Sequence, residues 1–323
     1  MIKKLGVILE PDPSHEWEAG AVFNCGVVIH RQRFHMLYRA VWGRYKKTAE
    51  GYENYISFIG HASSTDGIHF ERDPEPVMIP ESSFDRFGCE DPRITPFEGR
   101  FLITYTALSM PASSGRGYRV ALAETKDFKV FSKYGVVIPD IDDKDAVIFP
   151  KRINGKIAII HRAFGRNIQI AYMQRIPESK EFWKGHIEEI EKHTILRPTY
   201  SWEAIKIGAG VPPIEVESGY LLIYHAKGQD HKYRVGAALL DREHPHRVIA
   251  RLSYPIIEPT EEFEIEGDVK NVVFPCGAVQ VEHELYIYYG AADKRCALAI
   301  LNLPKLLNKL ETSTPPPLPL HSI

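Results

Sequence analysis

Short apolar runs broken by polar turns fill the chain, and long amphipathic stretches are scarce. After an entry strand at Gly6–Leu9 and the turn-rich Glu10-Pro11-Asp12-Pro13, the run Val22–Ile29 breaks at His30-Arg31-Gln32-Arg33 and returns at Phe34–Ala40, the pattern of a hairpin. Tyr55–His61 reads as a third strand, and Asp66-Gly67 as a turn into a fourth. The theme then recurs. A second unit runs through Arg93–Thr95, a turn at Glu98-Gly99, Phe101–Ala107, Tyr118–Thr125 and Phe128–Phe131. A third has Ala146–Pro150, a turn at Asn154-Gly155, Ile157–Arg162 and Ile168–Met173. A fourth has Gly208–Ile214, a turn at Ser218-Gly219, Tyr220–His225 and Tyr233–Leu240. A fifth has Val272–Val279, a turn at His283-Glu284, Leu285–Gly290 and Ala297–Leu301.

Five units at a period of roughly 60 residues point to propeller blades. The expected fold is therefore all-β, a five-bladed β-propeller with its site at one mouth of the central channel. Residues 1–310 are expected to form that single domain. Residues 311–323 form a proline-rich tail, whose Thr314-Pro315-Pro316-Pro317-Leu318-Pro319 reads as an extended end. Helix is expected only at Lys180–Lys192 and Lys305–Leu310. The second strand of each unit ends in a polar group: Arg39, Tyr105, His161 with Arg162, His225 and, just past Gly290, Asp293. If first strands line a channel, these ends should converge on its mouth.

Composition narrows the function by exclusion. A formal net charge of -2 over 323 residues gives no electrostatic case for nucleic acid or membrane binding. The four cysteines, Cys25, Cys89, Cys276 and Cys296, lack zinc or redox spacing, which suggests reduced thiols and a cytoplasmic protein. The start Met1–Gly6 does not resemble a signal peptide, and no apolar run is long enough to span a bilayer. No metal-ligand pair and no glycine-rich phosphate loop is present, so neither a metal nor a nucleotide cofactor is expected.

The chemistry concentrates in Cys89-Glu90-Asp91-Pro92-Arg93-Ile94-Thr95, a carboxylate pair at the mouth of the strand Phe101–Tyr105. Pro92 should push Asp91 towards an extended backbone, and Arg93 can set the ionisation of either acid. Taken alone, the stretch reads equally well as a structural salt bridge.

Glu90–Thr95, Asp145-Ala146-Val147-Ile148-Phe149-Pro150, Gly208-Ala209-Gly210-Val211-Pro212-Pro213, Tyr224-His225 and Val273-Phe274-Pro275-Cys276-Gly277 together resemble the β-mannoside phosphorylases of glycoside hydrolase family 130, from about Trp17 to Leu301. The resemblance implies a five-bladed propeller that cleaves β-mannosides with inorganic phosphate as co-substrate and inverts the anomeric centre to give α-mannose 1-phosphate. It implies Asp91 as general acid, passing its proton through a sugar hydroxyl. A partly dry pocket would hold that proton near neutral pH. Phosphate falls to Lys144, Arg162, His225 and Tyr233, with Lys227 beside them. The sugar falls to Asn24, Cys25, Arg39, Glu90, Tyr105, Asp145, Phe274 and Asp293, with Trp17 and Trp42 as further aromatic platforms. Cys25 stands where relatives often carry proline or serine, and Glu90 is a candidate to orient Arg93. Relatives often self-associate, which leaves a homo-oligomer open. An inverting β-mannosidase needs a second carboxylate where these cations sit, and a non-catalytic sugar-binding propeller needs no acid at all.

Overall fold

The structure, a computed structural model, describes residues 2–49 and 51–313; the proline-rich Thr314–Pro319 lies outside the described residues. It is mostly strand, arranged as five antiparallel four-stranded units taken in chain order. Unit one is Ala21–His30, Arg33–Val41, Ser57–Ser64 and Glu71–Arg72. Unit two is Gly88–Phe97, Arg100–Leu108, Tyr118–Thr125 and Phe131–Val136, joined to unit one through a single parallel bridge between Ser57 and Gly88. Unit three is Asp143–Ile148, Ile157–Ala163, Ile168–Met173 and Thr194–Leu196. Unit four is Lys206–Ala209, Gly219–Lys227, Tyr233–Leu240 and Val248–Arg251, with Ile214–Val216 also paired to its second strand. Unit five takes Val273–Val281, Glu284–Ala291 and Arg295–Asn302 from the end of the chain and Ile2–Leu9 from its start.

Three hairpin turns are where the polar breaks put them, and those expected at Ser218-Gly219 and His283-Glu284 fall one residue earlier, before Gly219 and Glu284 open their strands. Arg31-Gln32, Glu98-Gly99 and Asn154-Gly155 all have positive φ at both residues, the twist that two-residue hairpins require. Most strand bounds shift by a residue or more from the sequence reading, and two of the shifts have a plain cause. The fourth strand of unit two starts at Phe131, because Phe128 takes φ 61° and puts its ring against His35 at 4.3 Å instead of entering the ladder. The run Gly208–Ile214 is broken at Gly210–Pro213, where the two prolines deny the ladder its donors. The expected helices are Lys180–Glu188, capped by Ser179, and Leu303–Glu311, capped by Asn302.

Five hydrophobic clusters lie between units, joining one to two, two to three, three to four, four to five, and five back to one. The second strands explain how this packing is repeated. Aligned on a shared alanine (Ala40, Ala107, Ala163, Ala226, Ala291), they carry Tyr38, Tyr105, His161, Tyr224 and Tyr289 two positions earlier. Those side chains are buried between units. Tyr38, Tyr224 and Tyr289 donate to the buried carboxylates Glu18, Glu203 and Glu264 at 2.7–2.8 Å. Each carboxylate also pairs with a cation from an outer strand: Arg72, Arg251 and Lys4. Successive strand residues point to opposite faces, so the position in between, Arg39, Thr106, Arg162, His225 and Gly290, faces the other way.

Candidate active site

Four of the five first strands are distorted at nearly the same place. The ladder shifts register between Phe23 and Gly26, Glu90 and Arg93, Lys144 and Val147, and Pro275 and Gly277. In the first three units the bulge holds Asn24, Asp91 and Asp145 at φ 51°, 52° and 56°. Asparagine and aspartate tolerate this left-handed backbone better than other side chains, and a bulge re-aims the residue it contains. Asp91 is therefore not extended, as Pro92 alone would make it; the bulge overrides the local preference. The strands also approach closely here. A Cβ on Gly26 would meet the Pro92 carbonyl oxygen at 2.6 Å, and one on Gly290 would meet Asn24 Oδ1 at 1.9 Å.

The first part of the site gathers around Arg39. Its guanidinium donates to Asp91 Oδ1 at 3.2 Å, to the Tyr55 hydroxyl at 2.6 Å, and to Glu90. Asn24 Nδ2 donates to the same Asp91 oxygen at 2.8 Å, and Ser57 reaches Glu90 at 3.2 Å. Glu90 thus orients Arg39 and not Arg93. Burial would raise the Asp91 carboxyl, but Arg39, Arg93 and the Asn24 amide overcome it and hold Asp91 below the usual carboxylate range. Glu90 is raised by burial, partly opposed by Arg39. Burial, with Asp91, Asp268 and Glu90 nearby, pushes Asp293 up to about 7 against the pull of Arg39. Of the three carboxyls, Asp293 and Glu90 are thus the ones held above their ordinary range, and Asp91 is not.

The second part gathers around Asp145. Its Oδ1 accepts from Arg93 at 3.0 Å; its Oδ2 faces Arg162 at 2.7 Å and His225 Nε2 at 3.0 Å. Burial raises this carboxyl, and Arg162, His225 and Arg93 together bring it well below its ordinary value. With both oxygens engaged by protein groups, Asp145 orients cations, a role the sequence reading did not give it. Arg93 bridges the two parts, its other nitrogen donating to the Asp91 carbonyl at 3.1 Å. Burial lowers His225 to about 4 despite Asp145, so the ring is neutral, donates from Nε2 and leaves Nδ1 as an acceptor. It is not the cation that the sequence suggested.

Lys206 has no counterpart among the expected residues. It lies opposite Lys227 in the ladder, and Lys227 lies opposite Tyr233. Both ammonium groups sit over the Tyr233 ring, at 5.4 and 5.1 Å. Burial, then the charges of Arg162, Lys144 and Lys227, lowers Lys206 to about 7 despite Asp145. Lys144 rests over the Tyr118 ring at 4.8 Å. Phe274 packs 4.2 Å from His225 and under Arg93.

Several expected contacts fall elsewhere. Tyr105 and His161 lie on the opposite strand face. Tyr105 is buried among Ile59, Met78 and Cys89, and His161 binds Asp143 at 2.6 Å and His186 at 2.9 Å. Cys25, the second residue of its bulge, turns into the cluster between units five and one against Cys296. Trp17 stacks on Tyr38 and donates to the Pro74 carbonyl.

What remains open on the site face points to a ligand. Asn24 Oδ1, Arg39 Nε, Thr106 Oγ1, Arg162 Nε and His225 Nδ1 are buried polar atoms without a hydrogen-bond partner among the described residues. Four of the five belong to the shared second-strand position. Such atoms occur elsewhere in the chain, but here donors and acceptors converge beside a carboxylate cluster and a cation cluster.

The family described as beta-1,4-mannooligosaccharide phosphorylase matches residues 8–312. A 1,2-beta-oligomannan phosphorylase of Thermoanaerobacter sp. (strain X514) is 39% identical over 92% of this chain and 95% of its own. A beta-1,2-mannobiose phosphorylase of the same organism is 39% identical over 93% and 96%. The solved structure of a beta-1,2-mannobiose phosphorylase from Listeria innocua, in complex with beta-1,2-mannobiose, superposes with a TM-score of 0.78 at 27% identity, covering 95% of this chain and 97% of that one.

Proposed function

The chain belongs to glycoside hydrolase family 130, and from that premise we propose that it is a β-mannoside phosphorylase, transferring mannose from a β-mannoside to inorganic phosphate with inversion. The observation that carries this reading is the division of the site: a carboxylate cluster around Arg39 on one side, and Lys144, Arg162 and Lys206 on the other, with unpartnered buried polar atoms between them. A hydrolytic inverter needs a carboxylate base for water on the attacking side. The carboxylate there is Asp145, and three protein cations or donors already occupy it.

The proposed reaction follows from that division. Phosphate sits among Lys144, Arg162, Lys206 and Lys227, with Tyr233 beside them, held by charge-assisted bonds. The His225 Nδ1 lone pair accepts from the hydroxyl of hydrogen phosphate or of the sugar. Asn24, Arg39 and Asp293 hold the mannose over Phe274. A dianion and a sugar that excludes water both raise Asp91, so the proton stored near Asp293 and Glu90 becomes available to it. Asp91 then delivers it through a sugar hydroxyl to the leaving oxygen as the bond from the anomeric carbon to that oxygen breaks. A phosphate oxygen bonds to the anomeric carbon from the opposite face, and the proton lost by hydrogen phosphate replaces the one spent, so no net proton is consumed.

The five units, with packing clusters linking each to the next and unit five back to unit one, support the five-bladed propeller as a single domain over residues 1–310. Closure by Ile2–Leu9 on the last unit fits the same reading. Four free, buried cysteines favour the cytoplasm. The names of the relatives favour a β-1,2 linkage over β-1,4. The test is to offer β-1,2- and β-1,4-mannobiose with and without phosphate. Phosphate-dependent cleavage faster on the β-1,2 isomer is expected. Equal rates with and without phosphate would overturn the reading.

A further inference from the structure

Between the second and third strands of unit one, the chain makes a small hairpin, Lys46–Thr48 paired with Gly51–Glu53. It brings three tyrosines together. The Tyr52 ring lies 5.0 Å from that of Tyr55, and Tyr45 meets Tyr55 edge-on at 5.7 Å. The hairpin is held from two sides. The Tyr45 hydroxyl donates to Asp268 and receives from Lys294 at 3.1 Å, and Lys47 donates to the Asp268 carbonyl. At the tip, a Cβ on Gly51 would stand 2.6 Å from Ser113 of the loop Ala112–Ser114, so the two long loops of units one and two abut.

This arrangement runs outward from the acid. Asp91 binds Arg39, Arg39 binds the Tyr55 hydroxyl, and Tyr52 lies against Tyr55. Tyr55 is committed to Arg39. Tyr52 is half-buried, and no hydrogen bond of its hydroxyl is seen among the described residues. Burial raises its pKa to about 12, with Asp268 and Asp293 adding and Arg39 opposing, so the ring lies within electrostatic reach of the carboxylate cluster. An aromatic ring beside a polar cluster, with its hydroxyl uncommitted, offers one apolar face and one wet edge. The leaving sugar departs from the side where Asp91 delivers its proton, which is the side this ring borders.

We infer that Tyr52 is a specificity-determining platform for the acceptor sugar, stacking on the unit that leaves while Arg39 and Asp91 attend to the mannose being transferred. The inference rests on the phosphorylase reading, and formation of mannose 1-phosphate by the wild-type enzyme tests that reading separately, before any variant is made. The experiment is run in the synthetic direction with mannose 1-phosphate as donor and mannose as acceptor, on the full chain. Tyr52→Ala should raise the acceptor KM about tenfold, a loss of about 1.4 kcal/mol in acceptor binding. The mannose 1-phosphate KM should stay within about twofold, and Tyr52→Phe should behave as wild type because it keeps the ring. An unchanged acceptor KM in Tyr52→Ala overturns the inference. So does an equal rise in both KM values, or a Tyr52→Phe enzyme as impaired as Tyr52→Ala.

Discussion

Asp91 and Asp145 occupy the same bulge in neighbouring units, share a left-handed backbone, and are both buried. Their surroundings separate them. One oxygen of Asp91 is bound by Arg39 and Asn24, and the carboxyl stands beside two others, Glu90 and Asp293, that are reluctant to ionise. Asp145 is enclosed by Arg93, Arg162 and His225. The same local structure thus supplies a group that can exchange a proton in one place and a fixed counter-charge in the other. A backbone motif sets where a side chain points; what it does depends on the charges that other elements bring to it.

Replacing each aspartate in turn is the strongest way to break the comparison. Asp91→Asn should lower kcat by about 10²–10⁴-fold, the range for losing a positioned acid, with the phosphate KM moving far less. An Asp91→Asn enzyme that keeps a tenth of its activity would remove Asp91 from the role. Asp145→Asn should act first on the fold, because it leaves Arg93, Arg162 and His225 without their anion. A loss of about 3–5 kcal/mol in urea unfolding is expected. A variant as stable as wild type would mean that those cations find another partner.

Lys206 sharpens the comparison from the cation side. Lys206→Met should raise the phosphate KM by about 10–100-fold, the loss of a charge-assisted bond in a shielded site, with kcat at saturating phosphate much less affected. The pH dependence has a definite sign. In the free enzyme Lys206 is lowered to about 7, so raising the pH from 6 to 8 discharges it and weakens phosphate binding. The wild-type phosphate KM should therefore climb over that interval more steeply than that of Lys206→Met. Parallel curves would show that Lys206 does not meet phosphate. The smallest effect expected is for Tyr105→Phe. Its hydroxyl has no partner among the described residues and lies on the inter-unit face, so kcat/KM should stay within about twofold and stability within about 0.5 kcal/mol. A large loss of activity would put Tyr105 back in the site.

The contrast between Tyr105 and Lys206 shows what the sequence could reveal. Repeats, hairpin turns and the two longer helices were legible because each is written in local pattern, as at Asn154-Gly155, whereas the one-turn helix Glu262–Ile265 was too short to leave such a signal. The candidate residues Asn24, Arg39, Asp91, Arg162, His225 and Asp293 follow from the family resemblance, and the structure brings them together around Arg39 and Asp145. Tyr105 and His161 were misplaced because the second strands were compared at their polar ends. Comparing them at their common alanine puts those two one residue away from the site face, and in a strand one residue is the whole difference between faces. The same alignment would have found Thr106. Lys206 carried no local signal. A single lysine at a strand start is ordinary, and only the register that sets it across from Lys227 and beside Tyr233 makes it part of a cluster. The bulges were equally hidden, since no preference of Asp91 or Pro92 announces a left-handed backbone.

The division of labour between the two aspartates ends in a product that can be identified directly. Phosphorus and proton NMR of β-1,2-mannobiose incubated with the enzyme in phosphate should show the α-anomer of mannose 1-phosphate appearing in step with one equivalent of mannose. Two equivalents of free mannose without any sugar phosphate, or a β-configured phosphate, would contradict an acid and a phosphate acting from opposite faces of the same ring.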